Sequence, residues 1–319
     1  MGYTGRVKPP LRTISFATRV RIAALAAGLA APAALAAPAP APAHGPDSLR
    51  SRVAPPEDAV LQAYVDSGLP RPTVHELTDE EWTKVDAALR ALPALHRRVL
   101  EHHLRRLSFV DVPPGGGNAL TRDVDPKNPH KQIDITLRAG LLHETMTEFL
   151  TGKERSVFEP DASGQTVTVE AGDASALTYI LLHETTHAVD ATLGLSERAG
   201  TAFQRGIWLD RLRLAPPYDQ SAISATTFRR GSKTPAAKAP VLYQALSRTP
   251  FVSLYATAAA GEDLAELVAW EELAAQHQPL AIVIRDAAGG VVYRYEPLAS
   301  ALVRSRFSAV KQVLARRDG

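Results

Sequence analysis

The sequence Asp173-Ala-Ser-Ala-Leu-Thr-Tyr-Ile-Leu-Leu-His-Glu-Thr-Thr-His-Ala-Val-Asp-Ala-Thr-Leu-Gly194 is a candidate helix with two histidines at its centre. Apolar residues recur along it at helical spacing, namely Leu177, Ile180, Leu181, Ala188 and Ala191. Asp173 is the candidate N-cap, and Gly194 stands where a glycine commonly ends a helix. The pattern therefore predicts an amphipathic helix between these two residues.

The centre of this helix reads His183-Glu184-Thr185-Thr186-His187. On a period of 3.6 residues, His183 and His187 lie on one face one turn apart, and Glu184 projects about 100° around the axis. Two imidazoles in this arrangement are ligands for Zn²⁺, and the neighbouring carboxylate is a base for its water. The segment predicts a zinc site, with a chance pentapeptide as the alternative.

Catalytic zinc usually has three protein ligands and one position for water, so a third ligand is expected after the helix. A metzincin would place a histidine at position 193, which is leucine, and a Met-turn downstream, whereas Met146 lies upstream. A later segment supplies carboxylates instead. Tyr255-Ala-Thr-Ala-Ala-Ala-Gly-Glu262-Asp-Leu-Ala-Glu266 carries two of them, four residues apart, at the start of a predicted helix.

These motifs resemble those of the gluzincin metallopeptidases, and within them the lethal-factor-like branch that includes the Pro-Pro endopeptidases. The resemblance implies that His183, His187 and Glu262 bind zinc and that Glu184 is the general base. It also implies that Glu266 orients His183 from behind the ligands.

The same resemblance implies that Tyr255 donates a hydrogen bond to the developing oxyanion. The alternative is a half-buried core tyrosine, and weaker candidates for the donor are Tyr218, Tyr243 and His277. The match covers roughly residues 165–195 and 250–272.

The interval between His187 and Glu262 is 74 residues, longer than is usual for gluzincins. The alternatives for the third ligand are Glu266, Glu271 and Glu272.

The expected fold class is α+β, a zincin-like two-lobed metallopeptidase with a small mixed sheet. Residues 71–195 would form an N-terminal lobe with the sheet and the two-histidine helix. Residues 196–319 would form a helical C-terminal lobe that supplies the third ligand.

The first 36 residues predict a secretory signal peptide. They carry five basic residues, no acidic residue, an apolar run from residue 22 and a small-x-small end at Ala34-Leu35-Ala36. The run of about 15 residues is shorter than the roughly 20 of a spanning helix. We expect cleavage near Ala36, a periplasmic or secreted protein and no stable membrane span afterwards; an uncleaved anchor is the alternative. The Ala/Pro-rich residues 37–70 predict an extended linker.

Composition narrows the expected partners. Without the five basic residues of the leader, the chain has 31 basic and 34 acidic residues and is nearly neutral. This balance argues against nucleic acid as a binding partner. The chain has no cysteine, which excludes disulfides and thiolate metal sites. The expected partner is a peptide or protein substrate.

Other patterns predict the elements around the site. Thr78-Asp-Glu-Glu81 is a capping box that starts a helix, and a second helix would carry Leu100, Leu104 and Leu107. Alternation from Ile133 to Leu137 predicts a half-buried strand. Further expected elements are a strand at 165–170, a helix at 262–276, a hairpin of 282–285 with 291–295 and a closing helix at 298–315.

The segment Lys131–Arg138 is the candidate edge strand that would pair with extended substrate; an ordinary sheet strand is the alternative.

The pentapeptide Leu-Leu-His-Glu-Thr occurs twice, at 141–145 and 181–185. Threonine at position 147 replaces the second ligand in the first copy. We therefore expect His143, Glu144 and Glu148 to belong to a solvent-facing helix end, with an accessory metal site as the alternative.

Together these features predict an exported zinc metallopeptidase, a metalloendopeptidase, in which Glu184 acts on zinc-activated water. The alternatives are a cell-wall peptide amidase and a non-catalytic, zinc-stabilised envelope binding protein.

Overall fold

The computed structural model describes residues 49–112, 117–125, 132–196, 198 and 200–315. This part of the chain combines eight α-helices with small β-sheets, in agreement with the predicted α+β class. None of these helices is long and apolar enough to cross a membrane. The expected signal peptide and residues 37–48 of the expected linker lie outside the described residues.

Four strands form the largest sheet: β1 (Thr73–Val74), β2 (Leu104–Asp111), β3 (Ala119–Asp123) and β4 (Ile133–Arg138). Their order is β1-β2-β4-β3, with β2 and β4 parallel and the other neighbours antiparallel. The edge role predicted for Lys131–Arg138 is wrong, because β4 lies between two partners. The outer strand on that side is β3.

Two helices, α2 (Asp79–Ala91) and α3 (Ala94–His103), precede β2. The capping box at Thr78 and Glu81 is present as predicted. The second helix ends earlier than predicted, because Leu104 and Leu107 belong to β2. The register of β2 shifts between Leu104 and Arg106, so a spacing of three still puts both leucines in the core, and this bulge imitates helical spacing in the sequence.

The predicted half-buried strand β4 is in fact buried at its polar positions too. Asp134 is only 3% exposed, and its carboxylate accepts hydrogen bonds of 2.9 Å from both Arg105 and Arg122. Both arginines also contact Glu57. The alternating polar residue therefore faces an ion network rather than water.

Over residues 49–70, the structure differs from the extended linker that the sequence predicted. Residues 58–66 form a helix, α1 (Asp58–Asp66), with Val60, Leu61 and Tyr64 buried. Just before it, the backbone of residues 52–54 exchanges hydrogen bonds of 3.0 Å with Leu107 of β2. The composition suggested a spacer, but tertiary contacts with the sheet order this segment.

The remaining elements follow in chain order: α4 (Met146–Arg155), β5 (Phe158–Glu159), β6 (Thr166–Glu170), α5 (Ala176–Leu193), β7 (Thr234–Pro235), α6 (Ala239–Leu246), α7 (Ala260–Ala275), β8 (Ala281–Arg285), β9 (Val291–Tyr295) and α8 (Ala301–Ala315). The predicted hairpin is confirmed as β8 and β9, and β6 joins it in an antiparallel sheet. A short parallel pair joins β5 to β7. The β6–β8 pair and the β5–β7 pair each join a strand that precedes residue 195 in the sequence to a strand that follows it.

Helices α5 and α7 pack against each other within the hydrophobic core. The sequence predicted an amphipathic α5, but most of its length is buried, as is that of α7. Small side chains at Ala265 and Ala269 are fully buried in α7. Helices that are buried on nearly all sides form a rigid support for the side chains between them.

Candidate metal centre

Helix α5 carries the two histidines. Its N-cap is Ser175, whose hydroxyl accepts from the backbone N–H of Leu177, and not the predicted Asp173. Its C-terminal end is Gly194 at φ 67°, a left-handed conformation that suits glycine, as predicted. Inside the helix, the hydroxyls of Thr185 and Thr186 donate to the carbonyls one turn back. These bonds satisfy two buried polar groups beside the histidines.

Helix α7 carries Glu262 in its first turn, and buried contacts fix this end. Arg306 donates two hydrogen bonds of 2.7 Å to Asp263, and Trp208 Nε1 donates to the same carboxylate at 2.8 Å. The backbone N–H of Ala260 donates to the carbonyl of Arg211 at 2.9 Å. The position of Glu262 is thus set by its immediate neighbours in the sequence.

His183, His187 and Glu262 converge on one point. Oε2 of Glu262 lies 3.1 Å from Nε2 of His183 and 3.5 Å from Nε2 of His187. Zinc–nitrogen and zinc–oxygen bonds of about 2.0–2.1 Å in tetrahedral geometry put ligand atoms roughly 3.3 Å apart. Among the described residues, these three form the one group of potential ligands whose atoms all lie within 4.8 Å of one another. The donor set therefore fits one zinc ion.

The charges of this cluster favour a cation. Burial would lower the pKa of His183, but the nearby carboxylates of Glu262 and Glu266 outweigh it and raise the pKa to about 9. Burial would raise the pKa of Glu262, but the two histidines hold it well below its usual range. Glu262 is therefore anionic, which suits it to bind a cation, and a metal ion would compete with a proton for His183.

Glu266 lies behind His183, as the family resemblance implied. Its Oε1 is 3.1 Å from Nδ1 of His183, close enough for an ion pair although the N–H direction is not aligned for a hydrogen bond. The carboxylate accepts hydrogen bonds from the hydroxyls of Tyr179 and Ser253 and from the ammonium of Lys153. It is 1% exposed. Such a carboxylate orients a ligand imidazole and fixes its tautomer.

Glu184 lies on the same helix but turns toward the sheet. Its Oε2 accepts a hydrogen bond of 2.5 Å from the hydroxyl of Thr121 in the outer strand β3. No cation among the described residues pairs with Glu184. The carboxylate is therefore held in place by an uncharged partner.

Tyr255 begins the short 3₁₀ turn Tyr255–Thr257 before α7, and its ring centroid lies 5.9 Å from that of His183. Burial and the carboxylates of Glu262 and Glu184 raise its pKa well above the usual value. The phenol therefore keeps its proton and is a hydrogen-bond donor beside the ligand cluster. The edge of Phe228 packs at a centroid distance of 5.0 Å.

The other sequence candidates lie outside the cluster. Tyr218 packs against Phe251, and Tyr243 donates to the buried Glu154. His277 is exposed. Of the alternative third ligands, Glu271 pairs with Lys311, and neither it nor Glu272 belongs to the ligand group.

The first Leu-Leu-His-Glu-Thr copy forms a different structure. His143 follows a short turn and is 60% exposed, and its Nε2 lies 2.8 Å from the buried Glu81. Glu144 pairs with Arg138, and Glu148 completes a capping box at the start of α4. The predicted helix end is thus a turn and a helix start. Among the described residues, no group of potential metal ligands includes His143, Glu144 or Glu148, so nothing supports the alternative of an accessory metal site there.

Sequence reasoning missed four side chains that contact the site: Thr121, Lys153, Tyr179 and Ser253. Tyr179 had a local signal, because it lies one turn before His183 on the same helix. The others come from β3, α4 and the segment before α7, and no short-range pattern connects them to the motif.

No protein-family model, curated protein or solved structure matches this chain.

Proposed function

We propose that this protein is an exported zinc metallopeptidase of zincin-like, two-lobed build, related in its motifs to the gluzincins. The convergence of His183, His187 and Glu262, with ligand spacing suited to one tetrahedral ion, carries this proposal. Export to the periplasm or cell exterior is part of the proposal and rests on the leader sequence.

Zinc, when bound, supplies a water of lowered pKa and polarises the scissile carbonyl. Glu184 accepts a proton from the attacking water as the new carbon–oxygen bond forms, and delivers it to the departing amine as the carbon–nitrogen bond breaks. Tyr255 donates a hydrogen bond to the carbonyl oxygen as negative charge develops there, and Glu266 keeps His183 oriented.

The outer strand β3 supports an extended polypeptide as substrate. Among the described residues its only strand partner is β4, and its Thr121 contacts Glu184 directly. A peptide that adds to this edge by β-augmentation would pass beside the general base. The substrate role that the sequence suggested for Lys131–Arg138 is therefore proposed for Ala119–Asp123.

A catalytic site is favoured over the alternative of a zinc-stabilised binding protein. The ligand group contains three side chains among the described residues. Structural zinc sites usually close the fourth position with another side chain, whereas catalytic sites keep it for water.

The test is digestion of a peptide library by the purified chain with zinc, with cleavage products identified by mass spectrometry. The variant Glu184→Gln should retain one zinc per chain and lose roughly 10²–10⁴-fold in rate. The matched variant Glu144→Gln alters the glutamate of the other copy, which pairs with Arg138, and should cleave like the wild type. Undiminished hydrolysis by Glu184→Gln would refute the mechanism.

A further inference from the structure

Lys153 brings a buried ammonium group next to the candidate metal centre. It lies in the last turn of α4, a position where basic side chains usually extend into solvent, yet its side chain is only 12% exposed. Its Nζ lies 2.8 Å from Oε1 of Glu266 and 2.7 Å from the hydroxyl of Tyr179. The same Nζ lies 3.8 Å from the ring centroid of Tyr255.

The contact with Glu266 places Lys153 one step from a ligand. Oε1 of Glu266 is the oxygen that lies 3.1 Å from Nδ1 of His183. A carboxylate that is almost fully buried requires a positive partner, since removing charge from water is otherwise costly. Lys153 supplies that partner and attracts the same oxygen that faces His183. The ammonium therefore fixes where this oxygen lies.

The contact with Tyr255 gives Lys153 a second role. A cation over the face of a tyrosine ring is attracted to it, and the attraction is strongest where water is excluded. The ring of Tyr255 also packs beside His183 and Phe228. Lys153 thus touches both the carboxylate behind the first ligand and the ring that carries the candidate oxyanion donor.

We propose that Lys153 is a positioning residue of the metal centre, which holds the carboxylate of Glu266 beside His183 and the ring of Tyr255 beside the ligands. This inference rests on the proposed function. It differs from a purely structural ion pair, because it predicts effects on zinc affinity and on turnover in protein that remains folded.

The experiment compares Lys153→Met with Lys84→Met in the full chain. Lys84 forms a surface ion pair with Glu80 at 2.9 Å on α2 and is the matched control. Zinc affinity is measured by competition with a chromophoric chelator, and folding by circular dichroism. We expect Lys153→Met to bind zinc about 10- to 100-fold more weakly, the usual effect of removing a group that supports a ligand, and Lys84→Met to match the wild type.

Turnover separates the two contacts. At saturating zinc we expect Lys153→Met to lower kcat with KM little changed, because Tyr255 acts on charge that develops in the transition state. A loss of zinc affinity with unchanged kcat would support the Glu266 contact and overturn the Tyr255 contact. A folded Lys153→Met protein with wild-type zinc affinity and kcat would overturn the whole proposal.

Lys153→Met leaves the buried carboxylate of Glu266 without its ammonium partner, and this variant could therefore fail to fold. A second pair of variants keeps the proposal testable in that case. The double variant Glu266→Gln/Lys153→Met removes both buried charges, and Glu266→Gln, which leaves the Lys153 ammonium bonded to the hydroxyl of Tyr179, is its reference. The double variant should bind zinc like Glu266→Gln alone and have the lower kcat. Equal kcat in the two would overturn the role toward Tyr255, and a double variant with wild-type zinc affinity would overturn the role toward Glu266.

These readouts separate this inference from the proposed function. If the wild type binds zinc but cleaves no peptide, the peptidase proposal fails, and the zinc competition still tests Lys153. If the wild type binds zinc and cleaves peptides while Lys153→Met equals it in both, only the role of Lys153 fails.

Discussion

The two copies of Leu-Leu-His-Glu-Thr differ in almost every physical respect. In the copy at 141–145 the chain turns, and Thr145 becomes the N-cap of α4 with Glu148 in a capping box. In the copy at 181–185 the chain is helical throughout, and Thr185 donates to the carbonyl of Leu181. The residue three positions after the threonine explains the difference, because it is glutamate in one copy and Ala188 in the other.

The glutamates of the two copies also differ in their partners. Glu144 receives two hydrogen bonds of 2.7 and 2.9 Å from the guanidinium of Arg138. Glu184 receives one from the neutral hydroxyl of Thr121. The guanidinium contacts both carboxylate oxygens of Glu144 in a charge-assisted pair, whereas the hydroxyl contacts one oxygen of Glu184. Identical residues thus have different partners because their tertiary contacts differ.

The largest expected contrast is in zinc content. His183→Ala removes a ligand from the convergent cluster, so we expect loss of essentially all zinc from the purified protein. His143→Ala removes the exposed histidine of the other copy and should leave one zinc per chain. Elemental analysis after dialysis measures both variants. Equal zinc in the two would mean that the cluster on α5 and α7 is not the binding site.

The next largest contrast is in how stability depends on acid pH. A buried neutral histidine, His96, packs against the helix that contains the second copy. Nε2 of His96 lies 3.0 Å from the hydroxyl of Thr186, which itself donates to the carbonyl of Leu182. His96 must therefore donate, which leaves its buried Nδ1 without a partner. Burial lowers the pKa of His96 to about 4.

Since the unfolded chain binds this proton near pH 6.5 and the folded chain only near pH 4, the free energy of unfolding decreases as pH falls between these values, by up to about 3 kcal/mol. His96→Gln keeps a donor for Thr186 and should flatten denaturant-measured stability over this range. His143→Gln is the control and should keep the slope. An unchanged slope in His96→Gln would exclude this source of acid sensitivity.

Glu81, which contacts His143 of the first copy, should affect the free energy of unfolding at a lower pH than His96 does. Burial would raise the pKa of Glu81, but its hydrogen bonds with Thr78, His75 and His143 lower the pKa to about 2. The stabilisation from this carboxylate is present above its unfolded pKa near 4.5 and is lost as pH falls toward 2.

A smaller effect is expected from Thr121, the partner of the proposed general base Glu184. Thr121→Val removes the hydroxyl that fixes Glu184 and keeps the shape of the side chain. We expect roughly a 10-fold lower kcat, corresponding to about 1.4 kcal/mol, with zinc content unchanged. Thr121→Ser should restore most of the rate, since it restores the donor. Arg138→Gln, which removes the partner of Glu144, should leave kcat as in the wild type, and a similar loss in both variants would indicate a general disturbance of the sheet.

The sequence predicted the local parts of the site better than its long-range parts. The helix with His183 and His187, the αL glycine at its end and the later helix with Glu262 all depend on spacing within a few residues, and the structure has them. Lys153 and Thr121 reach the site from elements whose relative position depends on packing. Their types and spacings carry no local signal, so the prediction could not include them.

The fold shows the same division between local and long-range information. The hairpin of β8 and β9 followed from alternation and a glycine-rich turn. The central position of β4 did not, because strand order depends on which strands pair across the sheet. The bulge in β2 also misled the spacing argument, since a shift in register gave Leu104 and Leu107 a helix-like interval.

The smallest expected change in zinc content, which is none, tests whether two histidines at the motif spacing make a site by themselves. Thr147→His would place a second histidine four positions after His143, which is the spacing of the zinc motif. Because Thr145 caps the helix between the two positions, residues 143 and 147 do not lie on one continuous helix, and the variant should still bind one zinc per chain. The substitution also removes two hydrogen bonds, from the Thr147 hydroxyl to the carbonyl of Gly172 and from Ala171 N–H to that hydroxyl, so the free energy of unfolding should fall by about 1–3 kcal/mol. Binding of a second zinc would show that two histidines four residues apart are sufficient. Neither a continuous helix nor the buried convergence of α5 and α7 would then be required.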